Sequence, residues 1–374
     1  MRVWVIMGGW TSEREISMQS GQAVAAALQE RGHEVHAYEL RDGRFLPALS
    51  TRGARLAKRE EAVERGGGIG TGEAAREAAS AATEGQGWAR RLLAAAEAMR
   101  SEADVAFLAL HGGAGEDGTV QALLEAAGFP YTGSGPTASG IAMDKHLSKL
   151  IMRAIGVETP AWMLVPVPRE GTPPMPATAL KATALGGLPA VVKPIREGSS
   201  VGVSIVSDPG EWEAALWDAA RPGAEGLESS GPGMQLLVEK YIEGRELTVG
   251  VFDGRVLPVV EIIPAEGFYD FRNKYTSGKT SYKVPADLPA HVERILNDGA
   301  ARFYQTLGCR GMARIDYRLA PDGPPQCLEI NTIPGLTGSS LLPKAAQAVG
   351  IGFGELLEKA CRSALGRHPG PGPA

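Results

Sequence analysis

At about 150 residues per domain, a chain of 374 residues makes about two to three domains. Hydrophobic residues at 44% and charged residues at 22% exclude a disordered chain. The net charge of -5 argues against a nucleic-acid binder, and no run approaches the roughly 18 apolar residues of a membrane span. Cys309, Cys327 and Cys361 are odd in number and widely spaced, without a CxxC, which points to a reducing cytosol rather than disulfides or structural zinc.

The apolar run Val3 to Met7 ends in Gly8-Gly9 and reads as a first strand. A helix over Ser20 to Glu30 stops at Gly32, and a second strand begins at Glu34. This opens a parallel α/β unit. The stretch Thr51 to Glu102 reads as an insertion: a Gly-rich flexible tract from Gly66 to Gly72, then a helix from about Trp88 to Met99. A buried strand is expected over Asp104 to Leu110 and a helical stretch over Pro136 to Gly156. Further strands are expected at Leu188 to Lys193 and within Gly198 to Val206, then a helix over Glu211 to Ala220. Strands follow at Gln235 to Ile242, Glu246 to Phe252 and Arg255 to Ile263, the last two joined by an Asp253-Gly254 hairpin turn. A long polar loop, Pro264 to Pro285, has the character of a lid. A helix over Pro289 to Leu307, strands Gly311 to Leu319 and Gln326 to Asn331, and helices near Ser339 to Ala348 and Phe353 to Leu365 complete the chain.

Two familiar patterns lack their context. Gly198 to Gly202 matches G-x-S-x-G, but charged residues precede it and a strand follows, the reverse of a nucleophile elbow. Ser277 to Thr280 ends like a phosphate loop, yet Asn273 stands where a glycine is required.

The chemistry concentrates elsewhere. If Asp322-Gly323 forms a hairpin turn, Asp316 lies opposite Glu329 and Arg314 opposite Asn331, all on one face. Opposed carboxylates repel unless a cation intervenes, and hard oxygen donors suit Mg²⁺ together with phosphate. A solvated charged face is the alternative, and Pro324-Pro325 can move the register. Lys193, at the end of an apolar strand, requires an anion; phosphate is one choice and a snorkelling side chain the other. The Gly-flanked pair Ser199-Ser200 allows close backbone approach to phosphate. Glu239-Lys240-Tyr241-Ile242, with Glu246 just beyond, forms an extended segment suited to a purine. Together these residues clamp a nucleotide between two halves of the chain.

The ordered set of motifs resembles the D-alanine–D-alanine ligases of the ATP-grasp superfamily. It comprises Met7-Gly8-Gly9 with Ser12 to Ser17, His111 to Gly118, Tyr131 to Gly135, Met143-Asp144-Lys145, Val192 to Pro194 with Arg196 to Gly202, Phe268 to Asp270, Lys274-Tyr275, Arg314 to Asp316 and Glu329 to Gly335. The resemblance implies an α/β ATP-grasp fold of three α/β or α+β domains, with ATP clamped between the central and C-terminal ones. The expected limits are 1–134, carrying the insertion at about 51–102, then 135–237 and 238–374. It implies ATP-driven joining of two D-alanines through an acylphosphate, for peptidoglycan, by a cytoplasmic homodimer without nucleic-acid or membrane partners. Two Mg²⁺ ions, replaceable by Mn²⁺, are implied at Asp316, Glu329 and Asn331.

By the same resemblance, Glu13 holds the first D-alanine's ammonium, with His111 in that subsite. Lys145 and Lys193 contact ATP phosphates, Ser199 and Ser200 belong to the phosphate loop, and Lys274 lies beside the substrates. Glu239, Lys240, Tyr241 and Ile242 meet adenine, and Glu246 the ribose. Arg314 and the Gly335 N–H stabilise the oxyanion, Ser340 and Leu341 receive the second substrate, and Ser199, Glu13 and Tyr275 link the lid to the site. Ile195 and Ile333 depart from the family's frequent serine. A sister ligase using D-lactate, D-serine or another acceptor is the alternative, against which Tyr275 argues; a catalytically dead scaffold is opposed by the intact charged residues.

Overall fold

The computed structural model describes residues 1–9, 11, 13–41, 44–48, 87–168, 174–198, 200–221, 235–264 and 280–367. The Gly66 to Gly72 tract, Ser12, Ser199, the Phe268 to Tyr275 motifs and the phosphate-loop-like Ser277 to Gly278 lie outside these residues.

Three sheets carry the site. In the first, β1 (Arg2–Gly8) pairs in parallel with β2 (Glu34–Arg41) on one side. A short strand β3 (Arg44–Pro47) adds antiparallel to β2, and β4 (Val105–Leu108) lies parallel to β1 on its other side. Both faces of β1 are covered, which explains its unbroken apolar run. Val3, Val5 and Met7 join one core; Trp4 and Ile6 join another, where the Trp4 ring lies 4.6 Å from Tyr38 and 6.2 Å from Phe129. The crossover is α1 (Arg14–Glu30), which starts six residues before the Ser20 that its apolar period announced. Helices α2 (Trp88–Met99) and α3 (Thr119–Ala126) flank β4 in sequence.

The helical stretch Pro136 to Gly156 is two helices, α4 (Pro136–Met143) and α5 (Lys145–Ala154). Asp144 is extended between them, and its carboxylate accepts from Leu147 N at 3.0 Å, capping the second helix. The second sheet consists of β5 (Trp162–Pro166), β6 (Ala190–Pro194), β7 (Ser204–Val206) and, after α6 (Trp212–Ala220), β8 (Gln235–Lys240). Its order is β5-β8-β6-β7 and its pairings are antiparallel. The G-x-S-x-G segment leads into β7, not into a helix.

The third sheet is built from β9 (Arg245–Phe252), β10 (Arg255–Val256), β11 (Val260–Pro264), β12 (Thr280–Lys283), β13 (Met312–Leu319) and β14 (Gln326–Asn331), with α7 (Ala290–Leu307) across it. The strand expected over Arg255 to Ile263 is interrupted at Pro258, which lacks the N–H a ladder needs. The far end of the expected polar loop is strand rather than loop, since Thr280–Lys283 pairs with Glu261 to Pro264. Helices α8 (Leu341–Ala348) and α9 (Phe353–Arg367) close the fold. Leu356, Leu357, Ala360 and Cys361 of α9 pack into the same core as Val3, Val5 and Leu28. No described helix is long and apolar enough to cross a membrane.

Candidate active site

The β13–β14 hairpin has the expected register where it matters. Arg314 pairs with Asn331, Ile315 with Ile330 and Asp316 with Glu329. Beyond Asp316 a bulge intervenes, and Tyr317 pairs with Cys327, Arg318 with Gln326. The bulge lets the Pro324-Pro325 turn end one residue out of step without disturbing the charged pairs.

Asp316 is held from both sides. The Arg314 guanidinium donates from Nε at 2.9 Å and Nη2 at 2.8 Å, and Thr248 Oγ1 of β9 donates at 2.6 Å. Opposite, Glu329 faces Lys145 Nζ at 3.5 Å. Lys145 is itself buried and donates to the Glu197 carbonyl at 2.5 Å. Its backbone N–H bonds the Ile195 carbonyl. Thus one lysine ties the loop after β6 to the carboxylate face of the third sheet. Burial raises the Glu197 carboxyl above its usual range, with Lys145 pulling the other way.

Two carboxylates and the Asn331 amide form the oxygen donor set. The described residues hold no group of three or more His, Cys, Asp or Glu that would cage a metal alone. Such a set suits Mg²⁺, which keeps waters and phosphate oxygens among its ligands. Asn331 Oδ1 accepts from Ile333 N at 2.9 Å and has a second lone pair free by chemistry.

Lys193 does not snorkel. It is buried, and the anion it meets is Glu239 Oε1, at 2.5 Å, from the neighbouring strand β8. Lys149 Nζ lies 2.8 Å from the other oxygen of that carboxylate. Burial pushes the Glu239 carboxyl up, but the two lysines outweigh it and leave the group below its ordinary value. Its carboxylate is therefore engaged inside the protein. Lys240 is exposed at the end of the strand, and Tyr241 and Ile242 are half-buried. Arg318 gathers this segment: it donates to the Ile242 carbonyl at 3.0 Å and to Glu246 at 3.2 Å, and lies 5.7 Å from the Tyr241 ring centre.

Glu13 is buried at the start of α1. Its carboxylate is hemmed in by two glycines: a Cβ built on Gly112 would stand 2.7 Å from Oε2, and one built on Gly198 only 2.5 Å from it. Gly112 also has φ of +73°, so two reasons favour glycine there. Thr11 joins the neighbours, donating its hydroxyl to the His111 carbonyl at 3.0 Å and accepting from Glu13 N at 3.3 Å. The His111 ring meets Ser20 Oγ at 3.1 Å through Nε2 and approaches Glu116 at 4.0 Å through Nδ1. Ser200 adopts a φ of +61°, a turn conformation rare outside glycine.

Gly335 and Ser340 adjoin: a Cβ on Gly335 would lie 3.4 Å from Ser340 Oγ, which accepts from Thr337 N at 3.0 Å. Leu341 is buried at the start of α8. Among the sequence candidates, Ser199, Lys274 and Tyr275 fall outside the described residues. Lys149, Thr248 and Arg318 are site residues the sequence reading passed over. Lys149 stands four residues after Lys145 on the buried face of α5, and Arg318 continues the even spacing of Arg314 and Asp316.

The model of the D-ala D-ala ligase N-terminus matches residues 2–134, and that of the D-ala D-ala ligase C-terminus matches residues 151–361. The chain is 39% identical over 358 residues to the D-alanine–D-alanine ligase of Syntrophotalea carbinolica, covering 96% of this chain and 94% of that one. It is 38% identical over 369 residues to that of Desulforudis audaxviator, covering 98% and 99%. Among solved structures, the Bacillus anthracis D-alanine–D-alanine ligase complexed with ATP is similar at a TM-score of 0.67 and 33% identity, with 98% of each chain covered. By both domain models and by full-length kinship, the chain belongs to the D-alanine–D-alanine ligase family.

Proposed function

We infer that this protein is an ATP-dependent ligase that joins two D-alanine molecules into D-alanyl-D-alanine, with release of ADP and phosphate, for peptidoglycan synthesis. The observation that carries the reading is the shared face of Arg314, Asp316, Glu329 and Asn331 with Lys145 against it, in a chain of this family.

The chemistry follows in two steps. A carboxylate oxygen of the first D-alanine attacks the γ-phosphorus, and ADP leaves. The amine of the second D-alanine then attacks the acyl carbon, and phosphate leaves with that oxygen. Glu13 receives the first ammonium, in a subsite completed by His111. Lys145 and Lys193 take phosphate oxygens, and Ser199 and Ser200 close over them. Lys240, Tyr241 and Ile242 meet the base, with the Glu239 carboxylate behind them, and Glu246 meets the ribose. Asp316, Glu329 and Asn331 would hold two Mg²⁺ ions, which offset phosphate charge when bound. Arg314 and the Gly335 N–H face the oxyanion of the second step. Ser340 and Leu341 seat the second substrate; Lys274 and Tyr275 belong to the lid that excludes water.

We propose the division 1–134, 135–237 and 238–374; the first and third sheets each fall within one unit, and the second lies in the central one except for the end of β8, Val238 to Lys240. A cytoplasmic homodimer is the proposed setting; the buried free thiols of Cys309, Cys327 and Cys361 suit a reducing compartment. Product analysis with ATP, Mg²⁺ and D-alanine, alone or with D-lactate or D-serine, tests the reading. D-Alanyl-D-alanine as the main product supports it; a mixed product in preference to it would overturn the acceptor assignment.

A further inference from the structure

The buried trio around Glu239 contains more positive than negative charge. Lys193 Nζ meets Oε1 at 2.5 Å and Lys149 Nζ stands 2.8 Å from Oε2. Two cations thus face one carboxylate. Lys149 is fully buried, so its ammonium cannot reach a ligand in the cleft. It is fixed by donation to Thr159 Oγ1 at 2.7 Å and the Pro160 carbonyl at 3.2 Å, with the Trp162 ring centre 5.4 Å away. These contacts anchor it whether or not Lys193 stays.

We propose that Lys149 is a positioning residue that balances Glu239, so that Lys193 can leave that carboxylate for a phosphate oxygen of ATP. This rests on the ATP-using reading above. A buried carboxylate stripped of its only cation is heavily penalised. With Lys149 in place, Glu239 keeps a partner when Lys193 turns away. Without Lys149, Lys193 would be the sole counter-ion among the described residues, and each ATP bound would strand a buried anion. Burial lowers the Lys149 pKa, and the Glu239 charge works against that.

The test is ATP binding by titration calorimetry, beside thermal unfolding without nucleotide, for wild type, Lys149→Met, Lys149→Arg and Lys149→Met/Glu239→Gln. Lys149→Met should weaken ATP about tenfold or more, a change of about 1.4 kcal/mol, while the KM values for D-alanine move by less than about twofold. Lys149→Arg keeps the charge and should bind ATP better than Lys149→Met. The double variant has no carboxylate to hold Lys193 and should regain at least about threefold in ATP affinity over Lys149→Met, short of wild type because Glu239 adjoins the adenine segment. A purely structural role would lower D-alanine affinity and melting temperature together and leave the double variant no better than the single one. Wild-type ATP affinity in Lys149→Met, or no recovery in the double variant, overturns the proposal. Should Lys149→Met fail to fold, Lys149→Gln replaces it: a loss of about tenfold in ATP affinity supports the proposal and wild-type affinity contradicts it. Wild type that neither binds ATP nor forms dipeptide would instead defeat the function assigned above.

Discussion

Gly198 offers the sharpest steric test of the site. An ideal Cβ placed on it lies 2.5 Å from Glu13 Oε2 and 3.2 Å from Glu13 Oε1 and Cδ. Comfortable contact needs about 3.5 Å, so Gly198→Ala must push the carboxylate by roughly 1 Å. Glu13 has little room to retreat, because Gly112 already approaches Oε2 from another side. The displaced atoms are the far end of a side chain, not backbone, so the fold should bear the change at about 1 kcal/mol, or about 2–4 °C in melting temperature. A 1 Å misplacement of a substrate-holding group can cost about 100-fold in rate. We expect kcat/KM for D-alanine to fall about 10- to 100-fold, with KM for ATP little changed. Gly352→Ala is the control, since nothing lies within 4 Å of its Cβ. Steady-state kinetics with D-alanine varied at saturating ATP make the comparison. Wild-type kcat/KM in Gly198→Ala would refute the idea that Glu13 is held in place to receive substrate.

Other outcomes follow from the same geometry. Glu329→Gln should reduce turnover at least about 100-fold while leaving unfolding near wild type, because Glu329 is partly exposed and Lys145 keeps its bond to Glu197; the check is phosphate release beside a thermal melt. Tyr275→Phe should lower ligation several-fold, at about 0.5–1.5 kcal/mol for one hydrogen bond, and raise phosphate released per dipeptide; an unchanged ratio and rate would deny the loop a gating role. Burial pushes the Cys309 thiol up to about 11 and Cys361 up to about 12. Native protein at pH 8 should therefore resist a thiol reagent until denatured. Because these pKa values are raised in the folded state, the stability they contribute is present below the ordinary thiol pKa of about 8.5 and is lost as pH rises through the folded values. Urea midpoints should accordingly fall from about pH 9 upward, and a flat profile would count against that account.

The sequence was most legible where one local pattern decided the structure. Even spacing in Arg314, Asp316, Glu329 and Asn331 and a turn between them were enough to set the register, because pairing in a hairpin is arithmetic. The bulge after Asp316 was not, since it reconciles a Pro-Pro turn with packing that only the sheet reveals. Asp144 had to be read as a cap to split the helical stretch, and its capping bond depends on geometry rather than period. Lys193 showed that it needed an anion, but not which one: Glu239 is 46 residues away and arrives only through the β6–β8 pairing. Lys149 and Thr248 stayed hidden for the same reason, as their partners come from other elements. Strands Arg44–Pro47 and Trp162–Pro166 and helix Thr119–Ala126 are short or edge elements whose patterns carry little local signal.

The central claim is that ATP activates the carboxylate of one D-alanine so that the amine of another can displace phosphate. Oxygen transfer reads this directly. With D-alanine labelled by ¹⁸O in both carboxylate oxygens and unlabelled ATP, each phosphate released in step with dipeptide should carry one ¹⁸O, detected by mass spectrometry or by the ³¹P shift. Dipeptide formed with unlabelled phosphate would contradict an acylphosphate and with it the roles given to Lys145, Arg314 and the Asp316–Glu329 face.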